Sequence, residues 1–118
     1  MSMTSTLQPS AILSLVIMVA SAWPALAQSA PQYTQWGSVQ ELEGGWAQDT
    51  VAARHSAPFV NPDGCRVTNA GYATSPADTG HSLFHTLLLS AFLNRKEVAL
   101  LISGCVFDKP RIIAVKIH

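Results

Sequence analysis

The clearest pattern of apolar positions in the chain has the spacing of an amphipathic α-helix. Five apolar residues fall at positions i, i+3, i+4, i+7 and i+8: Phe84, Leu87, Leu88, Ala91 and Phe92. They form one stripe along the helix, so Phe84, Leu88 and Phe92 are expected to enter the core. Leu89 and Leu93 lie on the opposite side of the helix. We predict that a second chain or a loop covers them, and we treat them as a candidate interface.

The sequence also marks where this helix begins and ends. Ser75-Pro76-Ala77-Asp78 combines a capping hydroxyl, a proline at the first position and a carboxylate three residues after the cap. Because Thr79-Gly80 follow, the helix itself is expected to begin near His81 or Ser82. Asn94-Arg95-Lys96 is expected to end it, with the two cations in the last turn, where the helix dipole favours positive charge.

Five short segments have the composition and alternation of β-strands. Three precede the helix and two follow it, at residues 36–46, 50–60, 65–73, 98–103 and 111–118. In the last segment Ile113, Val115 and Ile117 occupy alternate positions and are expected to share one face. Turns are expected at Asn61-Pro62-Asp63-Gly64 and at Asp108-Lys109-Pro110.

The resulting order, β-β-β-α-β-β, is the connectivity of the OB-fold, a partly open five-stranded barrel. In that fold the helix would close one end of the barrel with its apolar stripe. The alternative is an open α+β sheet with the single helix packed across one face. The chain is therefore predicted to be mainly β with one helix.

The N-terminal segment has the pattern of a secretory signal peptide. Residues 11–22 form an apolar run that is shorter than the roughly 20 residues of a membrane-spanning helix. Ala25-Leu26-Ala27 then matches an A-x-A cleavage site. We predict a signal peptide over residues 1–27, an exposed lead-in over 28–35 and a single domain over 36–118. The alternatives for the apolar run are an uncleaved anchor and a buried helix.

Export has two consequences for the predicted domain. The protein is expected in the periplasm or outside the cell, with no stable membrane insertion after cleavage. The two cysteines, Cys65 and Cys105, are expected to pair as a disulfide, because small exported domains commonly use such cross-links. The alternative is two free buried thiols.

Composition and charge exclude several classes of function. Seven basic and seven acidic residues give a formal net charge of zero, so the chain lacks the basic surface of a nucleic-acid-binding protein. The carboxylates are scattered, and Ser103 lacks the G-x-S-x-G context of a nucleophile. We therefore predict that the protein is not an enzyme and has no catalytic residues and no cofactor.

Two pairs of side chains remain as candidates for chemistry. His81 and His85 have a spacing that presents two imidazoles to one metal ion, but no third ligand accompanies them, so they are interpreted as exposed surface histidines. Trp36 and Trp46 bracket the first predicted strand. We treat them as candidates for stacking on a ligand, and packing within the domain is the alternative.

A resemblance in layout to a known family lies in the segment from Gly64 to His118, which includes GYATSP, LFHTLLLSAFLNRKEVALLISGC and KPRIIAVKI. An exported domain with a disulfide, three strands, a helix and two strands resembles small secreted bacterial proteins of the toxin B-subunit kind. The resemblance is to the subtilase-cytotoxin B subunits in particular, which belong to toxins with one A and five B chains. The resemblance implies an OB-fold, a homo-oligomeric ring and a glycan ligand, and it carries over no site residue.

Together these patterns predict an exported, non-catalytic binding module, a homo-oligomer with a carbohydrate as its ligand. The alternative is an exported structural or inhibitor-like domain that binds another protein through a sheet edge or the apolar helix face.

Overall fold

The computed structural model describes residues 29–118, so the predicted signal peptide lies outside the described residues. This part of the chain forms six β-strands and one α-helix. In chain order the elements are β1 (Gln32–Tyr33), β2 (Gly37–Gly44), β3 (Val51–His55), β4 (Tyr72–Thr74), α1 (His81–Asn94), β5 (Glu97–Val106) and β6 (Lys109–Ile117). The prediction of a mainly β fold with one helix is confirmed.

Strands β2 to β6 are paired in a closed ring, in the order β2-β3-β4-β6-β5 and back to β2. Strands β4 and β6 run parallel. The other neighbouring strands run antiparallel. The ends of β2, β4 and β6 and the starts of β3 and β5 therefore point the same way around the ring.

The short strand β1 lies in the segment that was predicted as an exposed lead-in, residues 28–35. Its residues Gln32 and Tyr33 pair with Ile102 and Leu101 of β5. Thr34, which follows, is buried: its N–H donates to the carbonyl of Leu100 at 2.8 Å, and its hydroxyl accepts the Leu100 N–H at 3.0 Å. This part of the lead-in therefore belongs to the sheet: β1 pairs with β5 on the same side as β2, further along β5.

Helix α1 begins at His81, as expected, and Ser75–Asp78 forms a separate turn before it. The N–H of Asp78 donates to the carbonyl of Ser75 at 3.1 Å, and Gly80 is the N-cap, without a side-chain cap. At the other end Arg95 adopts the left-handed conformation, with φ 53°, and ends the helix. The expectation of cations in the last helical turn is wrong, because Arg95 and Lys96 lie beyond it.

The core lies between α1 and the inner face of the ring. Its buried residues are Val39, Ala53, Tyr72, Leu88, Ala91, Val98, Leu100, Ile102 and Ile112. The helix contributes only Leu88 and Ala91 as buried residues. The prediction that Phe92 enters the core is wrong, because its side chain is 41% exposed. Phe84 is half-buried, with its ring against Gly80.

Three local predictions are corrected by backbone geometry. The predicted strand over 65–73 shrinks to β4, because Gly71 at φ +74° breaks the extended conformation, and any Cβ there would clash with the carbonyl of Ala53. In β6, Ile113 is an extra residue at a bulge between Ile112 and Ala114, so the alternation places Ile112, and not Ile113, in the core. The turn between β5 and β6 is Phe107-Asp108.

Candidate functional site

Three connections lie close together in space, and we call this region the loop end. They are the β2–β3 loop (residues 45–50), the β4–α1 segment (residues 75–80) and the β5–β6 turn (residues 107–108). The strand register brings them together, because Gly44 is opposite Val51, Ala52 is opposite Ala73, and Ala73 is beside Arg111. The three segments are distant in sequence and adjacent in space.

An exposed aromatic pair stands at the loop end. Trp46 of the β2–β3 loop and Phe107 of the β5–β6 turn pack edge to face, with ring centroids 5.8 Å apart. Each side chain is 38% exposed. The ammonium of Lys109 lies 4.8 Å from the centroid of the Trp46 ring, within the range of a cation–π contact. Two aromatic rings and one cation therefore face solvent together.

Phe107 holds an unfavourable backbone conformation. Val106 pairs with Lys109, so Phe107-Asp108 is a two-residue hairpin turn, and both residues have positive φ, 50° and 59°. Such turns strongly prefer Asn-Gly or Asp-Gly, and a bulky side chain in the left-handed region costs about 1–2 kcal/mol. Strain of this kind concentrates at functional sites. The turn thus presents an exposed aromatic ring where the fold itself would favour asparagine or glycine.

The two candidate stacking residues are not brought together. Trp36 precedes β2, so it lies at the other end of that strand from Trp46, where its neighbour Gly37 pairs with Val98 near the start of β5. Its ring stacks on the imidazole of His118 at a centroid distance of 3.8 Å. Trp36 is therefore already engaged on one face, while Trp46 belongs to the loop end.

The histidine pair is also at the loop end, and the interpretation of both as exposed surface residues is wrong. Their side chains are only 21% and 20% exposed. Nε2 of His81 lies 2.9 Å from Oδ2 of Asp49, and its Nδ1 lies 2.7 Å from the carbonyl oxygen of Asp78. Both partners are acceptors, so the contacts of His81 raise its pKa: the Asp78 carbonyl contributes most, followed by the Asp49 side chain.

His85 has the opposite electrostatic environment. Its Nε2 lies 2.7 Å from the hydroxyl of the buried Thr74, which also accepts the N–H of Val51 at 3.0 Å. The Thr74 hydroxyl can donate its proton to an unprotonated Nε2 at 2.7 Å, a shorter contact than its alternative acceptor, the carbonyl of Val51 at 3.4 Å. Burial lowers the pKa of His85; the Asp49 carboxylate opposes this shift and the neighbouring His81 adds to it. The pair therefore consists of one histidine favoured as a cation and one favoured as neutral.

The predicted disulfide between Cys65 and Cys105 is confirmed, with the two Cα atoms 5.7 Å apart. It ties the long β3–β4 connection to the end of β5. The same connection is held by the carboxylate of Asp63, which accepts the N–H of Gly104 at 2.6 Å, and by the N–H of Val67, which donates to the carbonyl of Asp108 at 2.8 Å. The β3–β4 connection is thus fixed against the β5–β6 hairpin.

A cavity of about 330 Å³ adjoins the disulfide. It is lined by Asp63, Ser103, Gly104, Cys105 and Arg111. The carbonyl of Ser103 accepts a hydrogen bond from Nε of Arg111 at 3.0 Å, and the guanidinium lies 3.6 Å from the Asp78 carboxylate. Ser103 is therefore a strand residue beside the disulfide, as expected.

The candidate interface residues lie on the exposed side of α1. Leu89 is 50% exposed and Leu93 is 69% exposed. Phe92 joins them, because positions i, i+3 and i+4 share one helical face. We call Leu89, Phe92 and Leu93 the helix patch. It is an apolar surface that the described residues leave in contact with solvent.

Residues 29–118 lack two features: a group of metal ligands and a membrane-crossing helix. This part of the chain contains no group of three or more His, Cys, Asp or Glu residues arranged to hold a metal ion. No helix in it has the length and hydropathy required to cross a membrane.

Comparisons of this chain with protein-family models, with curated proteins and with solved structures find no match.

Sequence reasoning identified Trp46 but missed its neighbours. Lys109 was assigned to a turn, and Phe107 and Asp49 were not singled out. The signal that could have identified Phe107 is its place beside Asp108, between two segments with strand patterns, where a bulky aromatic residue is unusual in a turn. The contact of Asp49 with His81 spans 32 residues and has no local signal.

Proposed function

We propose that this protein is an exported, non-catalytic binding module, and that the Trp46–Phe107 pair binds carbohydrate. The observation that carries the proposal is the exposed aromatic pair, held on two loops by a turn that is strained at Phe107. Aromatic rings of this kind offer flat apolar faces against which the C–H faces of sugar rings pack. A polar ligand with apolar faces suits this surface.

The topology supports the same location for a ligand. A ring of five strands, with the helix between the third and fourth, has the strand order proposed for an OB-fold barrel. In OB-folds the loops between strands 1 and 2 and between strands 4 and 5 bind oligosaccharides and oligonucleotides. Counted from β2, these are the loops that carry Trp46 and Phe107. The formal net charge of zero favours an oligosaccharide over a phosphate backbone.

The proposal includes an exported location and a likeness in function to toxin B subunits. The disulfide and the lack of a membrane-crossing helix among residues 29–118 are compatible with a periplasmic or extracellular protein. The resemblance in layout to glycan-binding B subunits favours the same ligand class.

A glycan array tests the carbohydrate proposal. Trp46→Ala is expected to weaken binding about tenfold or more, because one aromatic stacking contact contributes about 1–3 kcal/mol. Phe107→Asn is expected to weaken binding as well, yet to unfold no more easily than wild type, because asparagine tolerates positive φ. Trp36→Ala is the matched control, and its binding should equal that of wild type. An array without hits, or equal losses in Trp36→Ala and Trp46→Ala, would contradict the proposal.

The helix patch favours a second candidate property, self-association into a homo-oligomer. Leu89→Asp with Leu93→Asp is expected to leave the fold intact, because both side chains are exposed, and to dissociate the assembly. Sedimentation velocity measures the assembly and circular dichroism the fold. The matched control is Ser82→Asp with Thr86→Asp, which adds the same charges at exposed polar positions of α1. A wild-type monomer at tens of micromolar would refute self-association.

Co-purification of bound proteins distinguishes the carbohydrate-binding proposal from the protein-binding alternative. Absence of array hits together with a protein that co-purifies through the helix patch would favour the protein-binding or inhibitor-like alternative.

A further inference from the structure

The β2–β3 loop that carries Trp46 is tied to the start of α1 through one side chain. Asp49, near the end of the loop, reaches His81, the first residue of the helix, with its Oδ2 2.9 Å from Nε2. Its second oxygen lies 3.9 Å from Nδ1 of His85. Among the described residues, this is the one side-chain hydrogen bond from residues 45–49 to another element, while Thr50, the last residue of the loop, donates its hydroxyl to the carbonyl of Thr74. The position of the Trp46 loop is therefore coupled to the state of His81.

The contacts of His81 require two ring protons. Nδ1 faces a backbone carbonyl and Nε2 faces a carboxylate, and neither group donates a hydrogen bond. The imidazolium satisfies both contacts, whereas either neutral tautomer loses one hydrogen bond and turns a lone pair toward an oxygen. Neutral His81 also lacks the positive charge that attracts Asp49.

Four charged or titratable side chains surround His81, and each affects how readily it holds a proton or binds Asp49. Asp49 from the β2–β3 loop and Asp78 from the β4–α1 segment favour the cation. The guanidinium of Arg111 on β6 lies 3.6 Å from the Asp78 carboxylate and offsets part of its charge. His85, one turn along α1, has its ring centroid 5.5 Å from that of His81, and burial lowers its pKa. The cluster therefore favours a proton on His81 over a proton on His85.

We propose that protonated His81 latches the β2–β3 loop, and with it Trp46, against the start of α1, and that loss of this proton as the pH rises releases the loop. The geometry at Asp49 and Asp78 supports this coupling. The consequence for ligand affinity, weaker binding at higher pH, rests on the proposed function of Trp46.

The sign of the pH dependence follows from the direction of the pKa shift. The contacts raise the pKa of His81 in the folded protein above its ordinary value of 6.5. The stabilising effect of the contact is therefore fully present below that ordinary value, and it is lost as the pH rises through the raised, folded-state pKa. The loop should be held at mildly acidic pH and mobile at alkaline pH.

Time-resolved fluorescence anisotropy of Trp46 tests the latch without any ligand. Trp23→Phe with Trp36→Phe leaves Trp46 as the one tryptophan of the chain. Between about pH 5 and about pH 9, on either side of the ordinary histidine range, the fast-motion amplitude of Trp46 should increase. Asp49→Ala should show the high amplitude at every pH, and His81→Gln should show no dependence on pH.

The matched control is His118→Gln, which removes another histidine that contacts a carboxylate, Glu97, at the other end of β6 from the β5–β6 turn. It should keep the pH response of the parent. Equal Trp46 mobility across the pH range, or an Asp49→Ala loop as ordered as the parent at low pH, overturns the latch. Because no sugar is present, this result is independent of the glycan array, which tests the proposed function at a single pH.

Discussion

Removal of the Cys65–Cys105 disulfide is expected to lower the free energy of unfolding by about 4 kcal/mol. The two cysteines are 40 residues apart in sequence, and the bond restricts the unfolded chain by closing that loop. Small domains have about 5–15 kcal/mol of stability, so this is a large share. Cys65→Ala with Cys105→Ala is the preferred variant, because Cys65 is buried and a serine there would bury a hydroxyl group.

Urea denaturation of wild type and of the double variant measures this difference, with the slope of the transition as a check on two-state unfolding. The expected fall in melting temperature is about 15–30 °C for a domain of this size. Reduction of the wild type with dithiothreitol serves as a control, because it breaks the bond without changing the sequence. A change below about 1 kcal/mol would contradict the prediction.

The elements whose signals are local were predictable from the sequence. The helix has a 3.6-residue period, and its observed start at His81 lies where Gly80 interrupts the capping pattern. Strand β5 lies where a short apolar run, Val98 to Ser103, indicated a strand. Each of these patterns reflects contacts that neighbouring residues make with the same surface. Local periodicity is sufficient for such elements.

The elements that depend on distant partners were not predictable. Strand β1 is short and polar, and it forms because Thr34 satisfies both backbone groups of Leu100, 66 residues away. The bulge at Ile113 reverses the alternation of β6, and a sequence pattern of period two contains no sign of the inserted residue. The width of the buried helix stripe is also a tertiary property, because the ring leaves room only for Leu88 and Ala91.

The candidate site shows the same division. Trp46 was recognisable as an aromatic residue at a strand boundary, but its pairing with Phe107 arises from the closure of the ring, which places two hairpin loops side by side. The separation of Trp36 from Trp46 has the same origin, since both flank β2 and a strand of eight residues places its two ends far apart. The sequence pattern identified Trp46 as a candidate, and the strand topology determines which side chains lie beside it.

Truncation of single side chains of α1 to alanine is expected to distinguish a buried from an exposed position within the predicted apolar stripe. Leu88→Ala should lower the free energy of unfolding by about 2–5 kcal/mol, because Leu88 is fully buried and its removal leaves a cavity between α1 and the ring. Phe92→Ala, four residues later, should change it by less than about 1 kcal/mol, because exposed side chains contribute little. The sequence pattern alone predicts large losses for both.

Urea denaturation of the two variants, at a concentration where the wild type is monomeric, measures the difference without any contribution from assembly. Alanine is a strong helix former, so neither substitution weakens α1 through backbone propensity. Equal losses for Leu88→Ala and Phe92→Ala would show that Phe92 is buried in solution and would contradict its place in the helix patch. A small loss for Phe92→Ala, combined with a larger loss at concentrations that favour the oligomer, would place Phe92 at the interface beside Leu89 and Leu93.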